Sequence, residues 1–335
     1  MEIGDSQVKR THWIVIAIMA GIAAAALHAS IVMLTPLSAV LFYLAPLPLF
    51  IVGLGSGPAS AAVAAAAGAA ALGSLWGPKA GLFFVISSAL GPVILCRLAL
   101  ISRPSAAGGR HEGEAADRGI EWYPEGRLTL WTALFAGAVL TLVIVIVGPD
   151  AESFRATLKD LSTRFAEPLL KDLPEQQRPG FAQIIDLLIM LAPAASAAAW
   201  FAAMMINLLL ASRLVARRGI SLRPWASFSS LAFPRRSSLA VAAFGAASML
   251  PGTAGLIGSV YVAPFCAAFA LLGLAVIHYL LLDHPARTAL LAGLYVALVL
   301  LSWLVVLPLI ALGIVETGFN LRARSKPLPP VNRNT

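Results

Sequence analysis

Charge is what this chain has least of. Of its 335 residues, 12% are Asp, Glu, Lys or Arg, against about 25% in an ordinary soluble domain. A hydrophobic fraction of 59% and a mean hydropathy of +0.85 exclude a water-soluble globular fold, because a chain of this length cannot enclose so much apolar surface. Cysteine is limited to Cys96 and Cys266, both inside apolar runs. They read as small packing residues and exclude a disulfide framework. The five histidines are scattered, and no pair shares a helical i, i+4 face with a carboxylate, so neither a metal nor a cofactor is expected. No strand is expected either, which removes the context for a phosphate loop; Gly252, Gly255 and Gly258 sit in an apolar run instead. Within the apolar runs the polar or ionisable exceptions are His28, Arg97, Asp186, Asn207, His278 and Glu316, most of them near run ends. A charge at the bilayer centre costs at least about 2.5–3.5 kcal/mol, and general acid–base chemistry needs a positioned ionisable group. No catalytic constellation is found, and an enzyme is not expected.

What charge there is falls into islands: the first ten residues, Arg97 to Arg127, Asp150 to Arg178, Arg213 to Arg236, Asp283 to Arg287, and the last twenty residues. Between them lie apolar stretches long enough to cross a hydrocarbon core of about 30 Å as helices. The expected spans are Trp13 to Thr35, Leu37 to Leu54, Ala59 to Trp76, Ala80 to Ile101, Leu128 to Gly148, Ile184 to Ser212, Ser238 to Ile257, Val260 to Leu282 and Thr288 to Val315. Turn signals such as Thr35-Pro36, Gly57-Pro58, Gly77-Pro78, Gly148-Pro149 and His284-Pro285 mark their ends. The first stretch reads as a retained span, since it is long and Leu27 occupies a position where a signal-peptide cleavage site needs a small residue. Gly53 and Gly57, then Gly73, Gly77 and Gly81, have the small-xxx-small spacing that lets membrane helices pack closely. The expected fold is therefore an all-α, polytopic transmembrane helical bundle.

The net charge of +8 does not point to nucleic acid, because no basic groove with interleaved aromatics is present. Lys9 and Arg10, then Arg97, Arg103, Arg110, Arg118 and Arg127, then Arg213, Arg217, Arg218, Arg223, Arg235 and Arg236 fall on one side of a membrane if the chain starts in the cytoplasm. A multi-pass protein of the bacterial inner membrane, with its N-terminus cytoplasmic and anionic lipid at its basic flanks, is the expectation. The near-balanced loop 149–183 then lies outside, and Phe154, Leu158, Leu161 and Phe165 predict an amphipathic helix over Ala151 to Ala166, on the outer interface or across the bundle. The tail conflicts with this scheme: nine crossings would put Arg322, Arg324, Lys326 and Arg333 outside. Eight or nine spans are both open, and Ser238 to Ile257, interrupted by Pro251-Gly252, is the segment most suited to a broken or re-entrant helix. The organisation expected is a four-span bundle over 1–101, a cytoplasmic basic loop over 102–127, further spans over 128–318 around an Arg-rich link at 213–236, and a basic tail over 319–335.

Among the later spans, Ser196, Trp200, Ala203 and Asn207 share one helical face, and His278 stands near a span end. An aromatic with two hydrogen-bonding groups suits a small-molecule pocket between helices. An Asn that bonds a neighbouring helix, and a His satisfied in the interior, account for the same residues. Asp283-His284-Pro285 reads as the cap of the following helix.

The stretch Asn207 to Pro234, NLLLASRLVARRGISLRPWASFSSLAFP, resembles the DUF2232 or YybS-like family of bacterial membrane proteins. There, a span ending in Asn and basic residues leads into a link rich in Pro and aromatics that closes on a Pro. The matching positions are Asn207, Arg213, Arg218, Gly219, Pro224, Trp225, Phe228 and Pro234. Leu44 to Phe50, LAPLPLF, is similar to the family's Pro-bearing second span. Gly313 to Arg322, GIVETGFNLR, is similar to its closing segment, with Gly313, Glu316, Asn320 and Arg322 in place and Glu316 standing where the pattern has Asp. The resemblance implies a distant relationship to the S components of energy-coupling factor transporters, which capture vitamins or metal ions within a small helical bundle. A solute-binding or transport component with a small-molecule ligand and a membrane-protein partner is thus one expected function. The other is a structural scaffold whose basic links bind partners or anionic lipid.

Overall fold

The computed structural model describes residues 2–104, 120–148, 150–172 and 174–325. The expectations placed on Arg110, Arg118, Lys326 and Arg333, and on the side chains of Lys9, Arg10 and Phe165, lie outside what is described. The chain forms α1 (Glu2–Ala29), α2 (Pro36–Tyr43), α3 (Pro46–Ser56), α4 (Pro58–Trp76), α5 (Pro78–Phe84), α6 (Leu90–Ala99), β1 (Ser102–Pro104), β2 (Ile120–Trp122), α7 (Glu125–Val147), α8 (Ala151–Asp172), α9 (Arg178–Arg217), α10 (Ser238–Ser248), α11 (Gly252–Leu280), α12 (Arg287–Leu301), α13 (Trp303–Phe319) and α14 (Leu321–Ser325). Among the described residues, seven helical stretches are long and apolar enough to cross a membrane: Trp13–Met33, Pro36–Ser56, Pro58–Trp76, Pro78–Ala99, Glu125–Val147, Arg178–Arg217 and Gly252–Leu280. Shorter apolar helices follow at Arg287–Leu301 and Trp303–Phe319. The chain is a polytopic helical membrane protein. Its exposed Met19, Leu34, Trp76, Ile146, Met249 and Leu300 present the apolar outer surface such a protein offers to lipid.

Two compact units make up the chain, Met1–Phe135 with Ala199–Trp225, and Ala136–Ala198 with Ala226–Thr335. In the first unit, prolines and glycines set the helix ends as the turn signals predict. Thr35 and Ser38 form a reciprocal capping box at the start of α2, with Pro36 in the first turn. Pro46 cannot donate to a carbonyl one turn back, and the helix breaks at Leu44–Ala45 between α2 and α3. Gly57 and Gly77, at φ 101° and 89°, hold backbone conformations closed to other residues before Pro58 and Pro78. The helices then pack backbone to backbone. A Cβ at Gly21 would strike the Ala64 carbonyl, and one at Gly68 the Gly21 carbonyl, so small residues bring α1 and α4 together. Around this contact Ala17, Ala24, Leu49, Ala64, Leu72 and Phe84 form a buried cluster. Cys96 packs beside Gly53 and, like Cys266, is a free thiol. Between α5 and α6, Val85–Ala89 widens into a π turn just ahead of Pro92, a site where the regular ladder would require an N–H that proline lacks.

The expectation that no strand forms is corrected by β1 and β2, a short antiparallel pair with Arg103 opposite Glu121 and their side chains 2.8 Å apart. The first helix after the pair, α7, starts at Glu125.

In the second unit, α8 runs to Asp172, beyond the predicted Ala166. Its first turn packs through Ala151 and Phe154 onto Ile144, Ala197, Leu256 and Val260. Leu158 packs against the same cluster and Leu161 is exposed, so among the described residues the expected apolar face is engaged at its N-terminal end. The helix α9 spans 40 residues rather than the predicted Ile184 to Ser212, running on through Pro193.

The two spans expected at Ser238 to Ile257 and Val260 to Leu282 are redrawn. The chain turns at 249–251, at the Pro251-Gly252 interruption that the sequence marks and ahead of the span boundary placed after Ile257, because Gly252 takes φ 69° immediately after Pro251. Only eleven residues remain in α10, about 16 Å of helix at 1.5 Å per residue. Phe244 stacks on Tyr261 and leans on Phe265, while Ser248 lies against Gly258, so α10 folds back antiparallel along α11.

The span expected over Thr288 to Val315 is also corrected. Ser302, at φ 37° and ψ −102°, breaks it into α12 and α13. A Cβ at Gly273 would meet the Leu309 carbonyl and one at Gly313 the Phe269 carbonyl, and farther along Arg322 lies over the Tyr279 ring. A Cβ at Gly313 would also meet Gly273 N, so the helices cross at this pair of glycines, and Tyr279 and Arg322 meet farther along both; α11 and α13 therefore run parallel, and α12 reverses the chain between them in sequence. None of the residues of α12 is buried.

Candidate functional site

Buried polar groups collect at three places, each within a single unit. The first lies where helices of the first unit are interrupted. The π turn presents Ser88 to His28, whose Nδ1 is 2.9 Å from Ser88 Oγ, with the imidazole ringed by Phe42, Phe83 and Phe84 at 4.9–5.4 Å. The same turn leaves the Ser87 carbonyl facing α9, where it accepts from Trp200 Nε1 at 2.7 Å. Two turns further along α9, Asn207 Nδ2 donates to Tyr43 O at the break after α2 and to Ala203 O, both at 2.7 Å. Its Oδ1 is buried with no hydrogen-bond partner among the described residues. Trp200 and Asn207 are thus brought together with His28 and Ser88. Ser196 is exposed in the part of α9 that belongs to the second unit. His278 also belongs to that unit, 3.0 Å from the Tyr295 hydroxyl and edge-on to Phe228.

The second place is the start of the Arg-rich link. Gly219, at φ 69°, ends α9 by donating to Ala216 O while Ile220 N reaches back to Val215 O, a pairing that closes the last turn through a left-handed residue. Four residues on, Arg223 is 6% exposed. Its Nη1 donates to Ala99 O at 2.9 Å and Tyr123 O at 3.1 Å, its Nε to Pro224 O at 3.2 Å, and its Nη2 lies 3.4 Å from Glu125 Oε1. The guanidinium faces the Trp225 ring at 4.5 Å and the Trp122 ring at 5.8 Å. Burial pulls it below the ordinary arginine range and the Glu125 charge opposes that shift. Arg223 therefore ties the ends of α6 and β2 and the start of α7 to the link. Pro224 and Trp225 border a cavity of about 400 Å³ beside it. Arg213 and Arg218 stay exposed.

The third place joins the rest of the link to the closing segment. Asn320 adopts the left-handed conformation at φ 50° and caps α13 by donating to Glu316 O. That reversal turns Arg322 back so that Nε is 2.8 Å from Glu316 Oε1, Nη1 2.8 Å from Ser229 O and Nη2 2.8 Å from Leu231 O. Glu316 is 5% exposed, and its Oε2 has no hydrogen-bond partner among the described residues. Leaving such an atom unsatisfied costs about 1–3 kcal/mol. Glu316 lines a cavity of about 210 Å³ together with Phe233, Arg235, Thr317 and Asn320. Pro234 opens the single turn Arg235–Ser237 that leads into α10, and Gly313 is the close-approach residue against α11.

Arg223, Glu125, His28 and Ser88 were not among the predicted site residues. The sequence carries a faint signal for Arg223, an arginine directly before Pro-Trp, and none for the pairing of His28 with Ser88 across 60 positions.

No curated protein and no solved structure matches the chain. The family model described as "Predicted membrane protein (DUF2232)" matches residues 127–317. That stretch takes in α7 to most of α13, with Trp200, Asn207, the whole link and Glu316, and the chain therefore belongs to the DUF2232 family of predicted membrane proteins.

Proposed function

We propose that the chain is a non-enzymatic solute-binding or transport component of the bacterial inner membrane, comparable with an S component, with its N-terminus and Arg-rich link on the cytoplasmic side. The observation that carries this reading is the buried acceptor Asn207 Oδ1, without a donor among the described residues and set between interrupted helices. Membrane binding sites are built where helices are broken, because the freed backbone groups and a few side chains give polar contacts inside an apolar wall. Trp200, Ser88 and His28 supply further polar atoms, and Phe42, Phe83 and Phe84 the wall. A Ser–His pair is also what nucleophilic catalysis uses. Here Ser88 and His28 are 2% and 4% exposed, which suits lining a site better than attacking a substrate.

Native mass spectrometry of the purified full chain tests this reading. A retained small molecule whose occupancy falls at least tenfold in Asn207→Ala is expected. A protein that carries nothing, and whose unfolding temperature moves with no solute in a screen, would overturn it. The second reading, a scaffold on anionic lipid or partners, draws on the exposed Arg213, Arg217, Arg218 and Arg236, and gains if the protein is empty yet co-sediments with anionic vesicles.

A further inference from the structure

The second unit contains an acid that its own ion pair does not use up. Arg322 engages Glu316 through Oε1 and spends its other two nitrogens on the Ser229 and Leu231 carbonyls. It therefore fixes how the carboxylate is turned, with Oε2 buried and left without a partner among the described residues, in a side chain that lines the cavity of about 210 Å³. Glu316 and Thr317 are buried, whereas Arg235 and Asn320 are exposed, so the lining combines a buried acid with an exposed base. Arg235 has no ion-pair or hydrogen-bond partner among the described residues. Phe233 gives one wall an apolar face.

An acceptor that lacks a donor selects a cationic donor, and a guanidinium that lacks a carboxylate selects an oxyanion. The cavity is smaller than the roughly 300–1,000 Å³ of sites for drug-sized ligands, so both groups must belong to one small molecule or headgroup. We propose that this cavity binds a zwitterion, with a primary ammonium donating to Glu316 Oε2 and an adjacent carboxylate or phosphate meeting Arg235. The chemistry is shared by free α-amino acids and by the ethanolamine phosphate headgroup of a lipid. The site lies wholly in the second unit and stands independently of the solute site proposed around Asn207.

The test uses the full chain in detergent and in nanodiscs. L-Alanine, methylamine and acetate are titrated by microscale thermophoresis, and phosphatidylethanolamine is compared with phosphatidylglycerol by native mass spectrometry. Saturable binding of L-alanine assigns the site to a free solute, and selective retention of phosphatidylethanolamine assigns it to a headgroup. In either case methylamine and acetate alone bind at least tenfold more weakly, and Glu316→Gln and Arg235→Ala each weaken the accepted probe at least tenfold. Arg235 is exposed, so its variant tests the site even if Glu316→Gln disturbs folding. Failure of both zwitterions to bind, or an Arg235→Ala affinity within twofold of wild type, overturns the proposal.

Discussion

Arg322 Nε lies 2.8 Å from Glu316 Oε1, six positions back along the chain, because the left-handed Asn320 reverses the backbone between them. The same guanidinium holds two link carbonyls, so the pair fastens the closing segment to the link. Removing one partner of a buried pair leaves a charge uncompensated, which costs about 3–5 kcal/mol. Arg322→Ala should lower stability by that amount in chemical unfolding of the detergent-solubilised chain. Glu316→Ala combined with Arg322→Ala should cost less than the sum of the two single changes; strict additivity would show that the pair is not coupled.

Arg223 makes a sharper comparison, since charge can be kept while geometry is lost. Lysine cannot reach the Ala99 and Tyr123 carbonyls while lying over the Trp225 ring. Arg223→Lys should therefore destabilise by about 1.5–3 kcal/mol, the worth of hydrogen bonds to a charged group. Trp225 fluorescence should shift as its stacked guanidinium leaves. An unchanged melting curve would show that the net charge is all that matters at this position.

The parallel contact of α11 and α13 rests on two glycines whose missing Cβ atoms are replaced by carbonyls of the other helix. Gly273→Ala and Gly313→Ala should each cost about 1–3 kcal/mol through overpacking. Gly293, in α12, has open space where its Cβ would be. There alanine should be neutral or gain up to about 1 kcal/mol of helix propensity. Thermal unfolding of the three variants side by side checks the contrast.

The helix-forming class and most helix ends were legible in the sequence for physical reasons, whereas the meeting of the link with the closing segment through Arg322 was not. Apolar length demands helices in lipid, and Pro and Gly act on their own backbone, so Gly57-Pro58 and Gly77-Pro78 could be read locally. The break at Ser302 could not, because a serine in an apolar run carries no intrinsic stop signal and its conformation is imposed by the packing of α13 on α11. Asn207 was picked out as a polar residue in a span, but its bond to Tyr43 joins positions 164 apart. His28 and Ser88 escaped because a π turn, and not a sequence spacing, aims the serine.

At the start of α8, Asp150 Oδ1 accepts from the backbone N–H of Ser153 at 2.8 Å. That bond, joined by the Ser153 hydroxyl and the Glu152 N–H, outweighs burial and holds the Asp150 carboxyl below the usual carboxylate range. Since the folded-state value is depressed, the cap contributes fully above the unfolded value and is lost as pH falls through the folded one. Protection of the amides in the first turn of α8, measured as exchange relative to the intrinsic rate at each pH, should fall on acidification below the ordinary carboxylate range, and Asp150→Asn should largely remove that dependence. Protection that falls equally in both proteins would assign the effect to another group.

The turn at Ser302 has a consequence of parity. A hydrophobic stretch that passed straight from Thr288 to Val315 would carry the tail to the face opposite the one that α11 reaches at Leu280. Doubling back there makes the closing helix repeat the heading of α11, so Arg322 finishes beside the link segment Ser229–Leu231 instead of across the bilayer from it. Arg322 and the link segment Ser229–Leu231 then answer to the same electrical potential, and one backbone angle brings them to one side.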